Sequence, residues 1–353
     1  MKIALLFDGA SALGKTPDIL ILETIEAIEE VLVAEGNQVV RVPAQADGRW
    51  VERVRRGKFD LVFNLCEGID GVAALEPSVI SALEVIGVPF TGGSSWTTSL
   101  CLRKHVVNAI LDRGRLPVPR FAVVRPGDPL PTVGFPAICK PAAEDASIGV
   151  EQRSVVRTVR ALAERVEAMH ERWSEVLVQR FIDGREVNVG ILGDVVLPIS
   201  EIRFDGMPKG MWRIVSYRSK WATGSDEDVG AAPQCPADLA PELAAELRRI
   251  ALAAWRMVGG TGYGRVDMRI DRAGRPWILE VNANPDIAPD AGLARMAREA
   301  GMDYGALIRA ACELALATRE SQGAERWALA QRLSGVPIAD DGTALDLFAV
   351  ARH

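Results

Sequence analysis

Histidine is scarce in this 353-residue chain, which holds only His105, His170 and the terminal His353. That inventory gives no footing for a histidine-centred triad or a poly-histidine metal centre. Cysteine is sparse too. Cys66, Cys101, Cys139, Cys235 and Cys312 share no paired spacing, which argues against a disulfide framework and for reduced thiols in a cytoplasmic setting. No apolar run reaches the roughly 20 residues of a membrane span, and the opening MKIALLFDGA is one strand long, without a signal peptide's apolar core and cleavage site. Positive charge is not in excess either. With 47 acidic and 41 basic residues the net charge is -6, so neither a nucleic-acid nor a membrane partner is expected. The remaining composition, 48% hydrophobic and 25% charged, is that of a globular protein long enough for two or three compact units. Any phosphate chemistry must rest on Lys, Arg and carboxylates.

The most informative stretch runs from Gly262 to Asp286, GYGRVDMRIDRAGRPWILEVNANPD. Alternating apolar residues on both sides of Asp271-Arg-Ala-Gly274 predict two strands, Gly262–Ile270 and Pro276–Asn282, joined by a tight turn. Side chains two apart share a face, so Arg265 and Asp267 project together, as do Glu280 and Asn282. Two carboxylates and an amide oxygen beside an arginine suit a hard divalent ion that bridges phosphate oxygens. A surface hairpin with ordinary polar alternation fits the same spacing, although the apolar residues between require one buried face.

In chain order, residues 1 to about 100 alternate strand and helix. Strands are predicted at Lys2–Phe7, Gln38–Val42, Leu61–Asn64 and Pro89–Thr91. Helices are predicted from Thr16-Pro17 to Gly36 and near Trp50–Arg56 and Glu76–Gly87. A doubly wound parallel sheet follows, with Asp8-Gly9-Ala10-Ser11, Asn64 to Gly68 and Thr91-Gly-Gly-Ser94 on its carboxyl rim, as structural turns or as a site. One helix is expected over Thr97–Gly114, then strands at Arg120–Val124 and Phe135–Lys140, a helix over Val155–Glu171, and strands at Glu175–Phe181 and Glu186–Leu192. Lys140 ends a strand and opens the small-residue loop Pro141–Gly149, as a phosphate-gripping lysine under a flap or as a solvated strand end. After a strand from Val195 to Glu201, the long polar passage to Pro236 has the character of a lid. Helices at Leu239–Val258, Asp290–Ala300 and Tyr304–Thr318 complete the reading. Residues 319–353 carry no usable motif.

Tyr263-Gly-Arg-Val-Asp267 followed by Ile278-Leu-Glu280-Val-Asn282-x-Asn-Pro285 resembles the metal-binding end of the ATP-grasp superfamily, in its D-alanine–D-alanine ligase-like branch. The similarity runs in order over residues 1 to 318, through Phe90-Thr91-Gly92, Lys104, Cys139-Lys140-Pro141, Ala146-Ser147-Ile148-Gly149, Val176 to Glu186 and Ser216 to Trp221. It implies an α/β (α+β) architecture: a doubly wound parallel sheet over residues 1–103, then two α+β units over 104–190 and 191–318 that sandwich ATP, then an extension over 319–353. By this resemblance Lys104 and Lys140 contact ATP phosphates, with Ser147 in the flap. Gln179, Arg180, Phe181 and Ile182 hold the adenine, and Glu186 takes the ribose. Lys220 approaches the γ-phosphate. Asp267, Glu280 and Asn282 bind two Mg²⁺ ions, with Mn²⁺ an alternative, and Arg265 stabilises the oxyanion. The catalytic residues are then Arg265, Lys220 and Lys140. The reaction joins a small-molecule carboxylate to an amine through an acyl-phosphate, releasing ADP and phosphate, and a homodimer is implied.

The departures bear on the substrate. Ligases that join two D-alanines carry a glutamate after the first strand, whereas this chain reads Asp8-Gly-Ala-Ser-Ala-Leu-Gly14. The flap serine is Ala146 and the lid tyrosine is Trp221. Asp286 and Asp290-Ala291-Gly292 replace the residues that receive the second substrate's carboxylate. Two aspartates repel a carboxylate and attract an ammonium, so an amine other than D-alanine is expected, with Glu67, Trp221, Asp286 and Asp290 as substrate residues. D-alanine–D-alanine ligation and a non-catalytic ATP-binding protein are the alternatives.

Overall fold

The computed structural model describes residues 1–12, 21–144 and 146–333. The expected helix start at Thr16-Pro17, Asp145 in the flap, and Gly335-Val-Pro-Ile lie outside the described residues. In the first sheet β1 (Lys2–Asp8), β2 (Gln38–Ala44) and β3 (Leu61–Asn64) run parallel in the order β2-β1-β3. Alternate residues of β1 feed opposite faces. Ile3, Leu5 and Phe7 pack with the Ile21–Ala34 helix, while Ala4 and Leu6 pack with Trp50, Val54, Val79 and Leu83. Such two-sided burial explains the near-continuous apolar run of this strand. The expected strand at Pro89–Thr91 is reduced to a single parallel bridge between Val62 and Phe90.

The second sheet takes β4 (Phe121–Val124), β5 (Ala137–Pro141), β6 (Val155–Val156) and β7 (Val176–Arg180) in the order β4-β7-β5-β6, all antiparallel. Ala137, Cys139, Val176 and Val178 bury one face under the Val159–His170 helix. The expected helix over Val155–Glu171 therefore begins later. Val155 and Val156 are β-branched and pair with Ile138 and Ala137, and Thr158 then caps the helix by accepting from the Ala161 N–H.

The third sheet contains β8 (Gly184–Leu192), β9 (Val195–Val196), β10 (Ser200–Arg203), β11 (Ala232–Gln234), β12 (Tyr263–Asp271) and β13 (Pro276–Asn282). It is ordered β11-β10-β8-β12-β13, with β9 beside β8. The predicted hairpin is β12–β13, and β12 lies between β13 and β8 rather than at a solvated edge. Its even-numbered residues Val266, Met268 and Ile270 join Val187, Val189 and Ile191 of β8 against the Pro241–Met257 helix. The odd-numbered residues are thereby committed to the other face. A register shift leaves Leu279 unopposed, because Asp267 faces Glu280 and Met268 faces Ile278. This bulge keeps Glu280 and Asn282 with the polar row while Ile278 drops into the core.

The expected Thr97–Gly114 helix is broken into Ser95–Leu102 and Lys104–Arg113. Arg103 leaves helical geometry at φ −95° and ψ 77°, which frees the Lys104 N–H to donate to the Ala142 carbonyl of the flap. The helix expected at Asp290–Ala300 spans Gly292–Glu299, and the last one runs on from Tyr304 to Leu333.

Two glycines let Trp255, 1% exposed, lie flat under β12. A Cβ on Gly260 or Gly264 would fall 2.1 or 2.4 Å from its ring. Gly264→Val is therefore expected to cost about 1–3 kcal/mol through overpacking, read as a lowered thermal unfolding midpoint; an unchanged midpoint would show that the ring has room.

Candidate active site

Three strands present a grid of polar side chains on one face of the third sheet. Along β12 stand Arg265, Asp267 and Arg269. Opposite them on β8 are Gly190, Asn188 and Glu186, and on β13 Asn282, Glu280 and Trp277. Asp267, 7% exposed, is the centre. Arg265 grips it with two parallel bonds, Nε to Oδ1 at 2.7 Å and Nη2 to Oδ2 at 2.8 Å, and Asn188 Nδ2 donates to Oδ1 at 2.6 Å. Burial alone would push the Asp267 carboxyl up. The Arg265 charge and hydrogen bond, the Lys220 charge and the Asn188 bond outweigh it and hold the group below the usual carboxylate range.

Lysines reach this face from the other elements. Lys104 Nζ stands 3.8 Å from Glu280 Oε2 and also donates to the Glu144 carbonyl of the flap. Lys140, at the end of β5, is buried, which excludes the solvated strand end. Burial lowers its ammonium to about 8, against the raising charge of Glu280, with Lys104 lowering and Glu186 and Asp267 raising it further. Lys220 is exposed on the short helix Tyr217–Trp221, yet its charge reaches Asp267. The second and third sheets thus meet across a layer of alternating charge.

Beside this layer lies an apolar cluster of Val155, Phe181 and Ile214, with Ile138, Val150 and Trp212 packed against it. Phe181 and Trp212 meet edge to face at 5.2 Å between ring centres. Ile182 is buried here, whereas Arg180 points to solvent. Gln179 is 1% exposed, and its Nε2 meets no acceptor among the described residues. Glu186 is buried and accepts two bonds from Arg269.

Flap and lid close on each other through backbone acceptors. Ser147 Oγ donates to the Val215 carbonyl at 3.1 Å, the Tyr217 N–H to Val150, and Trp221 Nε1 to the Ala146 carbonyl at 3.1 Å. Ala146 and Ser147 both hold left-handed backbone, φ 52° and 60°, which turns the flap back over the site.

At the far end, the rim of the first sheet abuts the end of β13. Asn284 donates to the Cys66 carbonyl and to Glu76, and a Cβ on Gly262 would strike the Gly92 carbonyl at 2.5 Å. Of the rim loops, Asp8 is consumed by the backbone N–H groups of Ala10, Asp70 and Gly71 and so reads as a structural anchor. Glu67 is exposed on this rim. Asp286 and Asp290 are exposed beyond β13, and burial, then their two charges, push the Tyr304 hydroxyl up.

Sequence reasoning missed Asn188, Arg269, Glu76 and Asn284. A signal existed for the first two. Glu186-x-Asn188 and Arg265-x-Asp267-x-Arg269 are period-two polar rows inside apolar strands, as a shared face requires.

For a metal, the donor set of Asp267, Glu280 and the Asn282 amide is all hard oxygen on one strand pair, which fits Mg²⁺. No group of three or more His, Cys, Asp or Glu suited to a metal occurs among the described residues. No helix among the described residues is long and apolar enough to cross a membrane.

A family model described as D-ala D-ala ligase C-terminus matches residues 128–313, over half of the chain. A D-alanine–D-alanine ligase of Alkalilimnicola ehrlichii is 34% identical over 257 residues, covering 70% of this chain and 76% of that protein. A D-alanine–D-alanine ligase of Xylella fastidiosa is 31% identical over 316 residues, covering 87% and 96%. The crystal structure of D-alanine–D-alanine ligase from Bacillus anthracis complexed with ATP superposes with a TM-score of 0.73 over 91% of this chain and 99% of that one, at 21% identity, a likeness of fold. The chain belongs to the D-alanine–D-alanine ligase-like branch of the ATP-grasp superfamily.

Proposed function

We propose that the protein is an ATP-dependent carboxylate–amine ligase that forms an amide and releases ADP and phosphate. The observation that carries this is the charge layer in which Lys104, Lys140 and Lys220 surround Asp267 and Glu280 beside an apolar cluster. Phe181, Ile182, Gln179 and the Arg180 backbone line the base end, and Glu186 takes the ribose. The lysines hold the triphosphate while a substrate carboxylate oxygen attacks the γ-phosphorus and the bond to ADP breaks, giving an acyl-phosphate. Mg²⁺, or Mn²⁺ in its place, held by Asp267, Glu280 and Asn282 as two ions, would neutralise charge building on the phosphate oxygens. The amine then attacks the acyl carbon, loses a proton and expels phosphate. Arg265 stabilises the oxyanion, a contribution of about 3–4 kcal/mol in such sites. Flap and lid exclude water so that the acyl-phosphate meets the amine first.

The amine end differs in character. Glu67, Asp286 and Asp290 gather acidic charge there and favour a cationic amine over a second carboxylate-bearing amino acid. D-alanine–D-alanine ligation is the second reading, favoured by the activity that the named relatives carry. The five cysteines are free thiols, in keeping with a cytoplasmic enzyme, and a homodimer is part of the proposal.

A screen of acids and amines for ADP release, with mass detection of products, is expected to return one productive pair. Asp267→Asn is expected to lower that release by at least about 100-fold in protein that still folds, with a lowered unfolding midpoint because Arg265 loses its buried counter-charge; undiminished turnover would remove Asp267 from the site.

Lys140 supplies a pH test. Its ammonium is charged below about pH 8 and lost above, so kcat/KM for ATP is expected to fall above about pH 8, while kcat at saturating ATP stays flatter because bound phosphates keep the proton. Lys140→Arg should remove the alkaline limb; an identical pH profile in that variant would count against a phosphate contact.

Asp286→Asn and Asp290→Asn are expected to raise KM for the amine by roughly 3- to 10-fold each, leaving KM for ATP unchanged. Equal losses for both would overturn the charge argument.

A further inference from the structure

Arg269 makes four hydrogen bonds from the interior, and nothing in the ligation chemistry uses it. It is 2% exposed. Its Nε and Nη2 donate to the same oxygen of Glu186, Oε2, at 3.1 and 2.7 Å, Nη1 donates to the Ile182 carbonyl at 2.8 Å, and Nη2 also reaches the Arg213 carbonyl. The guanidinium stacks over Phe181 at 4.9 Å. One planar group therefore joins β8, the segment after β7 and the lid passage, all at the base and ribose end of the charge layer. Since both bonds fall on Oε2, Oε1 of Glu186 accepts none among the described residues and is held at a fixed angle.

We propose that Arg269 is a positioning residue for nucleotide selection: it clamps Glu186 so that Oε1 faces the ribose hydroxyls, and it ties that clamp to the apolar cluster through Ile182 and Phe181 and to the lid through Arg213. This rests on the nucleotide-ligase reading above. Lysine cannot replace it, because an ammonium lacks the fork that meets Glu186, Ile182 and Arg213 together.

The test is calorimetric titration of the full chain with ADP and with 2′-deoxy-ADP, both with Mg²⁺, which needs no knowledge of the acid or amine. The wild type is expected to bind ADP at least about ten-fold more tightly than 2′-deoxy-ADP, as loss of a charge-assisted hydrogen bond implies. In Arg269→Lys, and in Arg269→Gln should the lysine variant not fold, ADP should weaken by about ten-fold or more and the preference should fall below about three-fold. A merely structural role would weaken both nucleotides together. A preference kept intact in the folded variants, or absent from the wild type, overturns the proposal. Failure of the wild type to bind either nucleotide overturns the ligase reading itself.

Discussion

The pairing of Arg265 with Asp267 is the constraint around which this molecule is arranged. A carboxylate on an interior strand of a six-stranded sheet is tolerated only with its hydrogen bonds met and its charge balanced. Arg265 meets both demands from two residues away on the same strand, and Asn188 completes the set from β8. The same requirement recurs one step along, where Arg269 faces Glu186, and across the hairpin, where Lys104 approaches Glu280. Acid and base alternate because β12 sets its even-numbered residues into the apolar core, leaving only the odd-numbered ones for this face. The Leu279 bulge then lets β13 contribute to both sides at once.

Closure over that face is made differently. Flap and lid meet mostly through donors that find backbone carbonyls, so the contacts depend on chain path more than on side-chain identity. Trp221 and Ala146 illustrate this. Each departs from the residue expected of a D-alanine ligase at its position, and the two departures meet, the indole N–H on the Ala146 carbonyl. The seam is closed here by an indole N–H on a backbone carbonyl.

Much of this was legible in the sequence, for reasons that differ by residue. Arg265, Asp267, Glu280 and Asn282 follow from alternation, which fixes a face without any knowledge of the fold. The strand Leu61–Asn64 lies within a single apolar run, and Pro276–Asn282 begins just after the turn that ends at Gly274, so their limits are local. The kink at Arg103 was not local: the Lys104 N–H leaves the helix to satisfy Ala142, some forty residues away in sequence. Val155 and Val156 likewise carry a helix-compatible pattern until β5 offers them partners. Arg269 was within view as the third member of the Arg265 row, but its partner Glu186 belongs to β8, and only the register joins them.

The two ends of the layer are built on different materials, and this bears on how such a protein can change substrate. The proposed nucleotide end rests largely on side chains of β5, β7, β8, β12 and β13, where moving one residue flips its neighbours to the wrong face. The proposed amine end is made from loops: the rim at Glu67, the turn at Asp286 whose carboxylate accepts the Ala288 N–H, and the approach to the Gly292–Glu299 helix at Asp290. Charge at those positions is held by no sheet register, and Asp8, which does sit at a strand end, is fully engaged by three backbone N–H groups. Acidic side chains can therefore accumulate around Tyr304 without disturbing the strands that hold Asp267. The Gly262–Asp286 stretch contains the boundary within itself: Asn282 is the last residue fixed by pairing with β12, and Asp286, four residues on, lies outside that register.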